Sequence, residues 1–305
     1  MSNSTSIQWT DVTDNIIVVK GGGWWCRKIS PGCANCYAAT LNQNAFYGGN
    51  KLAYSGAVPE LVLKRDILDG WARMRKSKKH FVASMTDVFG DWVDIEWQFE
   101  FLDAMAAAKE QTFQVLTKRA EQMRDVVASW LLKREFRHVP SNIWLGVSVE
   151  NNATRTRIGN LKSIPCVRFL SLEPLLEDLS SLDLSEIQWV IVGGESGPKA
   201  RPCDVEWIRN IVKECQAQDV ACFVKQLGSR IAGNANEFYI YQAHYPGGNR
   251  FTTPIIGGNA GKCSAGYESF TLNDKKGGTM SSWPIDLRVR EFPKFNHEDT
   301  KAPSE

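Results

Sequence analysis

Cys26, Cys33 and Cys36 lie together in WWCRKISPGCANCYA, just after the apolar run 15–20 and a glycine triplet, where a strand would hand over to a loop. Thiolates at these spacings can converge on one iron–sulfur cluster, and a four-iron cubane held by three cysteines leaves one iron open to a ligand that is not protein. Two other readings stay open. A structural zinc would need a fourth ligand, such as the remote Cys203, and three unrelated thiols could each be buried as small hydrophobes. The loop itself contains no histidine. His80 directly precedes a strand whose far end should carry the site, so it belongs to the wrong end of the sheet. Gly21, Gly22, Gly23 and the pair Pro31-Gly32 allow the tight turns needed to aim three sulfurs at one point. Trp24, Trp25 and Tyr37 would wall the loop with apolar surface and limit solvent at a cluster, or would simply close a core.

Short apolar runs at 15–20, 81–84, 112–116, 143–149, 167–171, 189–192 and 221–224 are nearly all continuous rather than alternating, as expected of strands buried on both faces. Longer amphipathic segments such as 97–110, 120–133 and 205–218 separate them. Repeated strand–helix order predicts an α/β fold, a parallel (β/α) barrel that is incomplete or a distorted TIM-like one, since seven strands fall short of eight. Active sites of such barrels sit where strands end. Polar residues cluster there in this chain: Ser84 and Asp87, Lys118 and Arg119, Ser148 and Glu150, Glu173, Gly193-Gly194-Glu195, and Lys225-Gln226. Helix capping accounts for some of these, but not for three carboxylates, Glu150, Glu173 and Glu195, around one rim. Gly193 and Gly194 would let backbone approach a ligand, or serve as a tight turn.

A chain of 305 residues can bury ~three quarters of its unfolded surface and needs no disulfide staples. With 36 Lys and Arg against 34 Asp and Glu, the balance is no polyanion-binding signature, so nucleic-acid contact must rest on local patches such as RMRKSKKH at 73–80, which is compatible with such contact but reads more readily as a solvated helix end. The segment MSNSTSIQWTDVTDN has no basic region followed by an apolar core, and no stretch is long and apolar enough to span a membrane, so the expected location is cytoplasmic. There, clustered cysteines favour metal or catalysis over disulfides. The scattered Cys166, Cys203, Cys215, Cys222 and Cys263 are expected to be buried thiols or bystanders. From Ser229 the texture turns rich in Gly and Asn, with a strand-like run at 238–241. This divides the chain into a barrel with the cysteine loop, 1–228, and a loop-rich appendage, 229–305, that would either cover the mouth or brace the helices, with a frayed polar tail.

Three cysteines in a loop after the first strand of a parallel barrel resemble the radical S-adenosylmethionine enzymes. The usual spacing there is CxxxCxxC; here it is CxxxxxxCxxC, and Asn35 rather than an aromatic precedes the last cysteine. A closer resemblance, over almost the entire chain, is to a phage-associated family of unknown function known for a three-cysteine motif. It rests on IQWTDVTDN, CRKISPGCANCYA, FVASMTDVFGDWV, TFQVLTKR, NIWLGVSVEN, VRFLSLEPLL, WVIVGGESGPKARP, FVKQLG and WPIDLRVREFP.

The first resemblance implies a [4Fe-4S] cluster on Cys26, Cys33 and Cys36, with S-adenosylmethionine at the open iron and a flavodoxin- or ferredoxin-type reductant. It implies reductive cleavage of that cofactor and hydrogen abstraction from a substrate in the barrel mouth. On this view Tyr37, Ser84, Asp87, Ser148, Glu150, Glu173, Gly193 and Gly194 line the cofactor, Ser148 and Glu150 facing ribose hydroxyls. Lys118, Glu195 and Lys225 are the catalytic candidates, and Arg119 and Gln226 face the substrate. The family's Gly-Gly-Glu lies near the second strand, whereas Gly193-Gly194-Glu195 follows a later one, so its grip on the methionine amino group does not transfer by position. Cations on the rim suit a phosphate, and a nucleotide or single strand enters a barrel more cheaply than a flipped duplex base. A nucleotide or nucleic-acid modification is therefore the expected activity. The alternatives are a zinc-stabilised barrel that binds nucleic acid or protein, and a four-iron Lewis-acid lyase.

Overall fold

The computed structural model describes residues 3–233, 261–262, 268–270, 272, 274 and 276–294. Its centre is an eight-stranded sheet. Seven of the strands run parallel, in the order β2 (Val12–Asp14), β5 (Lys79–Val82), β6 (Thr112–Thr117), β7 (Ile143–Ser148), β8 (Val167–Leu172), β9 (Trp189–Gly193) and β11 (Ala221–Gln226). The eighth, β1 (Asn3–Ser4), pairs antiparallel with β2. The sheet curls into a half-barrel and does not close: no pairing joins β2 to β11. Helices α3 (Ile95–Ala107), α4 (Ala120–Lys133), α5 (Thr156–Lys162) and α6 (Val205–Ala217) follow strands and cover the outer face. Asp94 and Asp204 start α3 and α6 by accepting the backbone N–H of Glu96 and Glu206 through their carboxylates, which satisfies one of the orphan donors of a helix start.

One predicted strand is misplaced. The run 15–20 is not the first barrel strand: Ile17–Val19 forms β3 and pairs antiparallel with β4 (Leu61–Leu63) in a separate two-stranded ribbon. The barrel instead begins with the shorter β2, whose sequence VTD hides it from an apolar-run reading. Asp14 is tolerated in that buried strand because its Oδ2 accepts from Trp71 Nε1, at the end of α2 (Arg65–Trp71), at 2.8 Å, and lies 2.6 Å from His80 Nδ1. His80 is wholly buried in β5, away from the strand ends.

Side chains alternate strictly across the half-barrel. One face packs Val115, Leu145, Val147, Leu170, Val190 and Val224 under the helices in the main core. The other carries Phe81, Trp144, Phe169, Trp189, Ile191 and Phe223, which join Trp9 as a mostly aromatic plug inside the barrel. Gly146 is required by that plug, since a Cβ there would collide with the Phe169 ring. Going up the same faces, the next inward positions are small or polar: Ser148 on β7, Ser171 on β8 and Gly193 on β9. The bottom is therefore filled with rings, and the layer above it is built of small side chains. A 220 Å³ cavity lined by Trp71, Met74, Ala107 and Gln111 lies elsewhere, near α2 and the end of α3, and none of the predicted site residues lines it.

β10 (Cys203–Asp204), just before α6, joins β12 (Ile231–Ala232), β14 (Glu268–Phe270) and β13 (Gly261–Lys262), which follow Gln226, in a small second sheet. The segment 289–291 lies along β11, with Val224 N–H donating to Val289 O at 2.9 Å and Glu291 N–H to Cys222 O at 2.8 Å. Trp283 and Leu287 are buried in the main core. The strand-like run predicted at 238–241 lies outside the described residues.

Candidate metal centre

The cysteine loop leaves β3 through Gly21–Gly23, all three with positive φ, a conformation that glycine adopts without cost. It runs to Cys36, where α1 (Tyr37–Asn42) begins. All three thiols are free. Cys26 and Cys36 pack with Trp24, Ala38, Tyr54 and Met85 in a small cluster of their own, apart from the main core. Cys203, by contrast, is buried in the main core. Burial first and Asp87 second push the Cys26 thiol up to about 12, against the pull of Arg119, with Cys36 and Cys33 adding to the rise. Among the described residues, no group of three or more His, Cys, Asp or Glu side chains is arranged to hold a metal ion. What fits a cluster is the donor chemistry: three unpaired thiols, one apolar wall, one loop.

That loop is fastened to the strand ends by side chains from four of them. After β5, Thr86 Oγ1 donates to Trp25 O at 2.6 Å, and Asp87 accepts from Thr117 Oγ1, Lys118 N–H and Arg119 Nη1 at 2.7, 3.1 and 3.2 Å. Arg119, held this way after β6, donates through Nη2 to Arg27 O at 2.8 Å and lies over the Trp92 ring at 4.3 Å. After β7, Glu150 is 0% exposed. Its Oε1 accepts from Ser30 Oγ at 2.6 Å and sits 3.6 Å from Lys118 Nζ, while its Oε2 accepts from Arg157 Nη1 at 2.8 Å. A Cβ on Gly32 would collide with that Glu150 carboxylate, so the loop can come this close only as glycine. After β9, Glu195 takes Arg201 through two bonds, 2.6 Å from Nη2 and 2.9 Å from Nε, and accepts from Asn35 Nδ2 at 3.0 Å; Arg201 Nη1 reaches Pro31 O at 3.0 Å. Burial alone would raise the Glu195 carboxyl, but the bonds from Arg201 and Asn35 outweigh it and hold it below its ordinary range. Tyr37 adds a fifth tie, donating from its hydroxyl to Ser84 O at 2.7 Å.

Two strand ends take no part in this fastening. Glu173 after β8 and Lys225 on β11 meet across the end of β9 at 3.1 Å. Gly193 lets them pass: a Cβ there would come 2.7 Å from Glu173 Oε1 and 2.9 Å from Gln226 O. A register irregularity in β11 falls at Lys225, of the kind that re-aims a side chain. Gln226 Nε2 donates to Gly194 O at 2.9 Å. The predicted site residues thus gather at one end of the half-barrel in two sets, those tied to the loop and those beside the mouth. The basic stretch 73–80 leads into the opposite end of β5 and joins neither.

Sequence reasoning missed the loop's own fasteners, Ser30, Asn35 and Arg201, because they act across 120 residues or more of chain. Ser171, one of the polar residues expected at the strand ends, breaks an apolar strand at an even spacing from Phe169 and faces inward.

A family model described as protein of unknown function (DUF5131) matches residues 4–275. The chain belongs to that family. No curated protein matches this DUF5131 member. Among solved structures, a mutant of spore photoproduct lyase aligns over 90% of this chain and 72% of its own, at 10% identity and a TM-score of 0.42. A second mutant of that lyase, with bound AdoMet and dinucleoside spore photoproduct, aligns with the same coverage at 9% identity and 0.43. No helix among the described residues is long and apolar enough to cross a membrane.

Proposed function

We propose that this DUF5131 protein is a radical S-adenosylmethionine-type iron–sulfur enzyme that modifies a nucleotide or nucleic acid. The observation that carries this reading is the three-thiol loop fastened over the open end of a parallel half-barrel by Thr86, Arg119, Glu150 and Glu195. Cys26, Cys33 and Cys36 would hold a [4Fe-4S] cluster, which with S-adenosylmethionine supplies one-electron cleavage chemistry. A flavodoxin- or ferredoxin-type carrier would deliver the electron in a reducing, cytoplasmic setting.

The chain's own residues do the rest. Trp24, Tyr54 and Met85 pack beside Cys26 and Cys36 and shield them on one side. Asp87 and Arg119 fix the loop at Arg27, and Glu150 fixes it at Ser30, so these charges position rather than react. Ser148 and Ser171, buried above the aromatic plug, would offer their hydroxyls to a ligand's sugar. Lys118 and Lys225, each about a quarter exposed, are the cations available to a phosphate. Glu173, tied among the described residues only to Lys225, could exchange that partner for a ligand's ammonium or hydroxyl.

The test is the anaerobic absorption spectrum and the iron and sulfide content of the purified protein and of Cys33→Ala, followed by addition of S-adenosylmethionine to the reduced sample. Brown protein that loses its colour in the mutant and releases 5′-deoxyadenosine is expected. A colourless, zinc-loaded protein would retire the proposal.

A further inference from the structure

Residues 29–59 contain no Asp or Glu and a single cation, Lys51. At the chain's average of 23% charged, a stretch of that length would carry about seven charges. This neutral stretch also presents Phe46 and Tyr47 to solvent, 89% and 57% exposed, with Ile29, Leu52 and Val58 exposed as well. The two rings meet edge to face at 5.4 Å. Fraying does not explain their exposure, because the backbone beneath them is held firmly. Buried Asn42 accepts Trp24 N–H at 3.0 Å and donates to Asn50 Oδ1 and Leu52 O at 2.7 and 3.1 Å. Asn44 accepts the N–H of Phe46 at 2.9 Å, and Asn50 Nδ2 donates to Gly22 O at 3.1 Å. Gly48, next to Tyr47, lies against Trp24, which itself packs beside Cys26 and Cys36. The ring pair therefore stands on a rigid loop adjoining the cysteine loop.

We infer that Phe46 and Tyr47 form a stacking platform for a single-stranded nucleic acid, delivering one nucleotide to the barrel mouth. The inference deepens the proposed function and rests on its substrate class. Every base has a π-face, so two exposed rings bind a strand without reading its sequence. A polyanion is repelled by carboxylates, and the thirty-one residues that carry the two rings contribute none of their own. Lys51 and Lys28, at the two sides of the stretch, have no carboxylate partner among the described residues and are placed for phosphates. A duplex hides its base faces in the stack, so the platform favours single strands.

The experiment is fluorescence anisotropy of a short labelled oligonucleotide, single-stranded and duplex, with the full chain, the Phe46→Ala/Tyr47→Ala double variant and Lys51→Ala. We expect single strands to bind better than duplex, the double variant to weaken binding about 10- to 100-fold, and Lys51→Ala to lower the salt-dependence slope by about one. These side chains are exposed, and unchanged thermal unfolding will confirm that the variants fold. Equal affinity of wild type and double variant, or a duplex preference, overturns the platform. So does sedimentation showing a wild-type dimer that the double variant splits, which would make the patch a contact between two copies. Release of 5′-deoxyadenosine by the double variant, with strand binding lost, would separate the fate of the platform from that of the metal centre.

Discussion

The ends of β5, β6, β7 and β9 and the ends of β8 and β11 carry the same kinds of side chain, carboxylates with nearby cations, and spend them differently. In the first set, Asp87, Arg119, Glu150 and Glu195 are nearly all buried and engaged several times over, mostly on the cysteine loop or on residues that reach it. In the second, Glu173 and Lys225 bond through their charges only to each other among the described residues and remain 13% and 26% exposed. A charge taken fully out of water is stable only with every partner in place, and such a group has nothing left to offer a ligand. A pair that still touches water and shares one bond can trade its partner more cheaply. Charge on a barrel rim is thus no guide to chemistry until its partners are counted.

The largest expected effect separating the two sets comes from Glu150→Ala, which strands Arg157 and Lys118 beside a fully buried vacancy. We expect a loss of ~3–5 kcal/mol in chemical denaturation; a loss below ~1 kcal/mol would erase the distinction. Next comes Asp87→Asn, which keeps the shape but removes the charge from its bonds to Thr117 and Arg119. It should cost ~2 kcal/mol and make the backbone near Arg27 exchange its amide protons faster. A smaller, pH-dependent difference comes from Glu195. Its folded-state carboxyl lies below its ordinary value of 4.5, so its contribution is present above that value and is lost as pH falls through the lowered one. Wild type should therefore lose stability on acidification below about 4.5, and Glu195→Gln should lack that part of the curve; parallel curves would contradict it. The smallest stability change, within ~1 kcal/mol, is expected of Lys225→Met, yet this variant should lose turnover while keeping cluster content and colour. If Lys225→Met instead unfolds the protein, the second set is scaffold too.

Much of the frame was legible in the sequence because parallel strands buried on both faces read as continuous apolar runs, and six of the seven fell where expected. The exception, β2, failed because its Asp14 and Thr13 look like a loop, and only the long-range partners Trp71 and His80 make a buried aspartate acceptable. The three cysteines and the polar strand ends were legible from spacing. Their division into two sets was not, because Ser30–Glu150, Asn35–Glu195 and Pro31–Arg201 are contacts between distant parts of the chain that no local pattern announces. The predicted buried thiols Cys203, Cys215 and Cys222 are buried, and Cys166 is half-buried.

The antiparallel pairing at both extremes of the sheet, β1 beside β2 and the segment 289–291 beside β11, has a consequence for how this protein behaves in a crowded solution. A half-barrel that never closes leaves two rows of unpaired backbone groups, each a template for strand addition from another molecule. Here a two-residue strand covers one row and a strap anchored by Arg290, which donates to Val224 O and lies over the rings of Phe223 and Trp283, covers the other. The protein can therefore keep its barrel open without that gap becoming a seam along which copies aggregate.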